Sequence, residues 1–252
     1  MLSGAVIAGG LLAWQLLVRA LGVPIVLVPA PTDVGRALVA GLADGSLPAQ
    51  TWVTLREILA GFGLASVSGL IVALLVTQLR LAEKALMPLI VLTQSVPKVA
   101  MAPLLLIWFG IGGTSKVITT ALIAFFPVLV NSALGLRAAE RDQVDMLRSF
   151  GATRVQLLYR LTLPTALPSI FAGLEVAVVL AVTGAIVAEF VGSSAGLGYV
   201  MQATNFTLDV ATTFAVLVIL GAIGLALHAA IAFLSRRFVF WTARNRGTVD
   251  PG

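Results

Sequence analysis

Long apolar runs separated by short polar segments set the pattern of the chain. They fall at 2–21, 58–79, 86–109, 117–136, 167–191 and 212–234. About 20 apolar residues wound as a helix cross the ~30 Å hydrocarbon core of a bilayer, so the pattern predicts six transmembrane helices. Barrel strands would alternate over about 9–11 residues, and these runs neither alternate nor stop so early. The predicted fold is an all-α membrane bundle, with residues 1–252 as one domain.

Composition agrees with that pattern. Apolar residues make up 59% of the 252 and charged residues 11%, and the mean hydropathy is +1.05, whereas a globular chain carries about 25% charged residues. A soluble enzyme or a nucleic-acid-binding module is therefore excluded despite the pI of 10.4, because the formal net charge is only +5. There is no cysteine and one histidine, His228, which removes disulfides, thiolate chemistry and His-pair zinc motifs, so no metal site is expected. The first run has no positive segment ahead of it and Arg19 at its far end, which reads as a retained helix rather than a cleaved signal.

Lys and Arg orient the helices. If the segments after the second, fourth and sixth runs lie on one side, that side holds 11 of the 16 basic residues, and Arg19, Arg36, Arg56 and Lys116 fall on the other. The richer side is cytoplasmic by the positive-inside rule, which places both termini there. Residues 28–50, with Pro29, Pro31 and Pro48, hold a short amphipathic piece at 33–42 that Asp33 is placed to cap on the outer surface. The longest polar interruption, 137–160, interleaves charges of both signs with Val144, Met146, Leu147, Phe150, Val155 and Leu158 at helical spacing, and Gly151 breaks it. Two readings fit such a segment: an interfacial helix on anionic lipid, or a helix that docks on a protein partner.

Within this segment Asp145-Met146-Leu147 is followed three residues later by Gly151, and after nine more by Leu161-x-Leu163-Pro164. The arrangement resembles the cytoplasmic signature E-A-A-x3-G-x9-I-x-L-P of permease subunits of bacterial binding-protein-dependent ABC importers. Gly151, Leu163 and Pro164 agree in type, while Asp145, Met146, Leu147 and Leu161 stand in for Glu, two Ala and Ile. Segments 28–34, 94–100, 102–112, 125–131 and 188–199 are similar to the nitrate, sulfonate, taurine and thiamine-precursor branch of that family. The resemblance implies a type I importer permease with a cytoplasmic coupling loop at 137–164, in which Asp145, Arg148, Phe150, Gly151, Leu161, Leu163 and Pro164 meet an ATPase. It implies a bacterial inner-membrane location, a second copy of this chain, ABC ATPase subunits carrying ATP and Mg, and an extracytoplasmic substrate-binding protein. This chain itself would bind no cofactor and catalyse no reaction, and its cargo would be a small anionic or aromatic, pyrimidine-type solute. Leu163-Pro164 is expected to end the second piece of the loop and Pro168 to open the fifth helix.

Two further motifs carry no chemistry. Gly110 to Lys116 lacks the spacing of a phosphate-binding G-x4-G-K-[ST] loop. Gly192-Ser193-Ser194-Ala195-Gly196 satisfies G-x-S-x-G, but an apolar helix rather than a strand precedes it and His228 has no adjacent acid in the sequence, so the glycines are expected to form a turn. An ATP-independent secondary transporter, a channel and a membrane-embedded hydrolase are the alternative classes. Polar residues inside the spans are costly and so are pathway candidates: Gln94, Lys98, Asn131, Thr183 and Glu189. Lys98 either faces an anionic cargo or pairs with Glu189 or Glu175. His228 is expected to be a packed helix residue.

Overall fold

The computed structural model describes residues 2–79, 84, 88, 92 and 97–241, and among these it contains helices and turns but no strand. In chain order the helices are α1 (Leu2–Ala20), α2 (Pro31–Ala43), α3 (Ser46–Gln78), a 3-10 turn (Lys98–Met101), α4 (Ala102–Phe109), α5 (Gly113–Leu136), α6 (Arg141–Ser149), α7 (Arg154–Leu157), a π-turn (Leu158–Thr162), α8 (Leu163–Gly192), α9 (Leu197–Thr207) and α10 (Val210–Phe238). Four described helical stretches are long and apolar enough to cross a membrane: Ser46–Gln78, Gly113–Leu136, Arg154–Gly192 and Val210–Phe238. Gly4–Ala20 and Lys98–Phe109 are shorter apolar helices.

The core is a three-helix packing of α3, α5 and α8, with α10 laid on α8 and α9, and α2 on α10. Hydrophobic attraction between helices is absent in lipid, so small residues that let backbones approach closely matter instead. Gly61, Ala65, Gly69 and Ala73 form one buried stripe along α3. A Cβ on Gly61 would come 2.4 Å from Thr120 Cγ2, and one on Gly173 of α8 would come 2.8 Å from the Pro127 carbonyl of α5. Helix α1 stands apart and meets the rest mainly through α2 and the Trp14–Phe214 ring pair at 5.8 Å.

Several boundaries differ from the sequence pattern. Helix α3 begins at Ser46, twelve residues before the predicted start at 58, because Thr54 and Glu57 are buried and Gln50 is half-buried against the bundle instead of lying in a loop. Pro48 sits in its first turn, where a missing N–H costs nothing. Asp33 is not the cap of α2; Ala30 holds that position and Pro31 opens the helix. At the α2–α3 corner the Asp44 carboxylate accepts from the hydroxyl and N–H of Ser46, the latter at 2.8 Å, which holds it below the ordinary carboxylate range. The predicted third helix is broken: Lys98 to Met101 form a 3-10 turn after Pro97, which cannot donate to a helical ladder, and α4 then runs only eight residues.

The expected stop at Leu163-Pro164 does not occur. Helix runs continuously from Arg154 to Gly192, and the π-turn at Leu158–Thr162 sits immediately before Pro164. A widened turn absorbs the backbone group that a proline leaves without a donor, so the helix continues through it. Pro168 accordingly lies inside α8 rather than at its start.

Candidate functional site

Two regions gather polar residues, at opposite ends of the bundle. At one end α6 projects from the helices with no buried residue. Gly151 ends it at φ +79°, a left-handed conformation that glycine adopts without cost, and a Cβ there would meet nothing within 4 Å. Thr153 then caps α7 with a reciprocal bond to Gln156. Phe150 is 82% exposed and Tyr159 66%, and Met146 and Val155 are also exposed. Asp145 and Arg148 pair at 3.6 Å on the exposed face of α6, an arrangement that contributes little to stability. Leu161, Leu163 and Pro164 are half-buried where the helix enters the bundle.

At the other end lies a buried polar cluster. Gln50, Thr54 and Glu57 recur at i, i+4 and i+7, one face of the first turns of α3. Thr54 Oγ1 donates to Glu189 Oε1 at 2.7 Å and accepts the Leu197 N–H at 2.7 Å. Glu189 Oε2 takes the Gly198 N–H, and Gln50 Oε1 takes the Gly196 N–H at 2.6 Å. Lys116 Nζ lies 2.6 Å from Glu57 Oε1 and 2.9 Å from Ser193 Oγ. Segment 193–198 is thus pinned to α3 and α8 through its own N–H donors, and to α5 through Ser193 Oγ, which accepts from Lys116. Gly196, at φ +110°, packs so closely that a Cβ would fall 2.1 Å from Glu189 Oε1.

The pathway candidates do not converge. Glu189 belongs to this cluster and is fully buried. Lys98 is half-buried with Nζ 4.3 Å from the Phe126 ring centroid, and among the described residues it pairs with no carboxylate, so the second of its two readings, a pair with Glu189 or Glu175, is not formed. Asn131 donates to the Pro127 carbonyl of its own helix at 2.8 Å. Thr183 is exposed along α8 and reaches only the Val179 carbonyl, at 3.4 Å. Gln94 lies outside the described residues. Among the described residues the lysine that is ion-paired is Lys116, which the pattern assigns to a loop. The spacing of Gln50, Thr54 and Glu57 was the available signal for it.

Residues 65–240 match the family described as "Binding-protein-dependent transport system inner membrane component". The chain belongs to this family. It is 38% identical to the riboflavin transport system permease protein RibX of Chloroflexus aurantiacus, over 92% of this chain and 87% of that one. To the formylaminopyrimidine transport permease ThiX of Halalkalibacterium halodurans it is 36% identical over 92% of each. The putative aliphatic sulfonates transport permease SsuC of Bacillus subtilis is 28% identical over 93% of this chain and 85% of that one. In fold it is similar to a chain of the inward-facing MetNI methionine ABC transporter, with a TM-score of 0.67, 21% identity and coverage of 76% of this chain and 95% of that chain. The protein is a multi-pass inner-membrane permease component, not an enzyme.

Proposed function

We propose that this chain is the permease subunit of an ATP-driven importer and that α6, Gly151 and α7 form its coupling element to a separate ABC ATPase. The observation that carries this is an amphipathic helix held outside the bundle, with Phe150, Met146, Val155 and Tyr159 exposed beside a mixed-charge rim. A bare apolar row of this kind seats in a groove of a partner, and Gly151 turns α6 onto α7, which the π-turn joins to α8 without a break, so displacement of α6 and α7 passes into a membrane-crossing helix. ATP and Mg bind on the ATPase. Two copies of the chain form the pathway on a two-fold axis, and an extracytoplasmic binding protein delivers the cargo.

In this reading the α6 end is cytoplasmic, as are both termini, and loop 193–198 lies on the outer side. Arg137, Arg141, Arg148, Arg154 and Arg160 at the α6 end support that orientation. The cargo is a small solute; the named cargoes of the relatives include riboflavin, a formylaminopyrimidine and aliphatic sulfonates, so kinship alone leaves both heteroaromatic and oxyanion classes open.

Gly151→Val and Asp145→Lys test the coupling role. Valine strains the left-handed turn, and lysine reverses the charge that Arg148 faces. Both variants should insert in the membrane at parental levels, yet retain at least tenfold less ATPase on co-purification or hydrolyse ATP without uptake. Normal co-purification and uptake in both would reduce α6 to a lipid-surface helix.

A further inference from the structure

The helix that leaves the bundle toward α6 changes character within one turn. From Arg154 to Leu161 no residue is buried, whereas Thr162 is buried and Ala166 is fully so. Beyond that point α8 is clamped. Ala166 and Ile170 share one apolar cluster with Leu129, Ala133 and Leu136 of α5, and a Cβ on Gly135 would come 2.8 Å from the Ala166 carbonyl. The π-turn Leu158–Thr162 sits on the boundary between the bare helix and the clamped one.

The hydrogen bonds of this turn are unlike those on either side. Leu163 N–H donates to the Leu158 carbonyl, five residues back, where an α-helix would give it to Tyr159. The next residue is Pro164, which has no N–H to offer. In the π register the Tyr159 carbonyl therefore has no ladder donor four or five residues ahead, but the turn opens around the Pro164 ring. In the α register Leu163 would return to Tyr159, and that ring would then press on the Arg160 carbonyl, four residues back. Each register keeps one fault, and a one-residue shift of hydrogen bonding exchanges them. Tyr159 and Arg160 are both exposed, so neither fault is sealed inside the bundle.

We infer that Leu158–Thr162 is a two-register joint that lets α6 and α7 roll against a clamped α8. This rests on the coupling role proposed above and deepens it. Passing from the π to the α register withdraws one residue from the turn. That rolls α7 by up to about 100°, the step of one residue at 3.6 per turn, and carries a side-chain tip about 5 Å off the axis through roughly 8 Å. A pull along the axis still reaches α8, because the chain is helical throughout. Roll is taken up at the joint, so α6 and α7 stay seated on a moving partner while Ala166 and Ile170 keep their places on α5.

The chain has no cysteine, so a pair of introduced ones reports one distance. Arg154→Cys on α7 and Leu134→Cys near the last turn of α5 are both at exposed positions. They are spin-labelled in the full chain, diluted with unlabelled chain in nanodiscs, and their separation is read by pulsed electron spin resonance. Measurements are made on the complex with its co-purified ATPase, nucleotide-free and trapped with ATP and vanadate. The doubly labelled parent should give two distances at least about 4 Å apart, with trapping changing their proportion at least threefold. Pro164→Ala supplies the missing N–H and removes the ring, so the α register loses its fault and one distance should remain in both states. Pro168→Ala, one turn further into packed α8, should keep both distances. A single distance in the parent, the same with and without nucleotide, would make the segment a rigid lever and overturn the joint. So would two distances that survive Pro164→Ala or vanish with Pro168→Ala. If no ATPase co-purifies, the coupling reading falls, and the same comparison of parent with Pro164→Ala on the chain alone still decides the joint.

Discussion

Lys116→Met is the sharpest test of the buried cluster. The ammonium lies 2.6 Å from Glu57 Oε1, and the two side chains are 9% and 8% exposed. Glu57 Oε2 already has no hydrogen-bond partner among the described residues, so the carboxylate depends on this one cation. Removing one partner of a buried pair costs about 3–5 kcal/mol. Loss of the bond to Ser193, at 2.9 Å, adds about 1 kcal/mol. Lys116→Met should therefore destabilise by roughly 4–6 kcal/mol, and Glu57→Gln, which strands the ammonium instead, by about 3 kcal/mol. The double variant leaves no unpaired charge and should fall within about 2 kcal/mol of the parent, a coupling energy of at least ~5 kcal/mol. Equilibrium unfolding in mixed detergent–SDS micelles, read by tryptophan fluorescence on all four proteins, closes the cycle. Losses that add to within about 0.5 kcal/mol would show that the two groups do not sense one another, and the cluster would have to be redrawn.

Glycine to alanine at two left-handed positions should separate backbone strain from crowding. Gly196→Ala drives a methyl into the Glu189 carboxylate and should cost about 3 kcal/mol or more in the same unfolding assay, while Gly151→Ala has open space and should cost only about 1–2 kcal/mol; equal losses would refute the packing at loop 193–198. For topology, Ser149 and Ala43 are exposed at the two proposed faces, so Ser149→Cys should label only from the cytoplasm and Ala43→Cys only from outside. Labelling of both from one side would discard the orientation.

The α-helical membrane class and the identity of the α6–Gly151 segment were legible because both rest on local physics. Long apolar runs, a glycine at a reversal and a mixed-charge amphipathic row declare themselves without neighbours. The break before α4 was half legible, since Pro97 and Pro103 stand on either side of it, yet the apolar count of 86–109 overrode them. The buried cluster was not legible in its membership. Apolarity marked α3 only from Ile58 onward, because the residues before it are polar and polar residues count against a span. Their burial is decided by Lys116 and by the backbone donors of loop 193–198, and pairings across 59 and about 140 residues leave no trace in a local window.

The two lysines show why cost alone is a poor guide to position. Counting apolar neighbours places Lys98 deepest in a span and Lys116 in a loop, which makes Lys98 the expensive residue. The fold reverses the order. A 3-10 turn lifts Lys98 out of a regular helix, half-buried against the Phe126 ring, where its long stem can carry the ammonium toward a polar boundary. Lys116 is 7% exposed in the first turn of α5 and is tolerated only because Glu57 and Ser193 reach it. The lysine that meets only an aromatic ring stays half-buried, and the one that meets a carboxylate is buried. The same logic applied to carboxylates separates Glu189, satisfied by Thr54 and Gly198, from Glu175, which nothing among the described residues satisfies. Glu189 is thereby explained as structure.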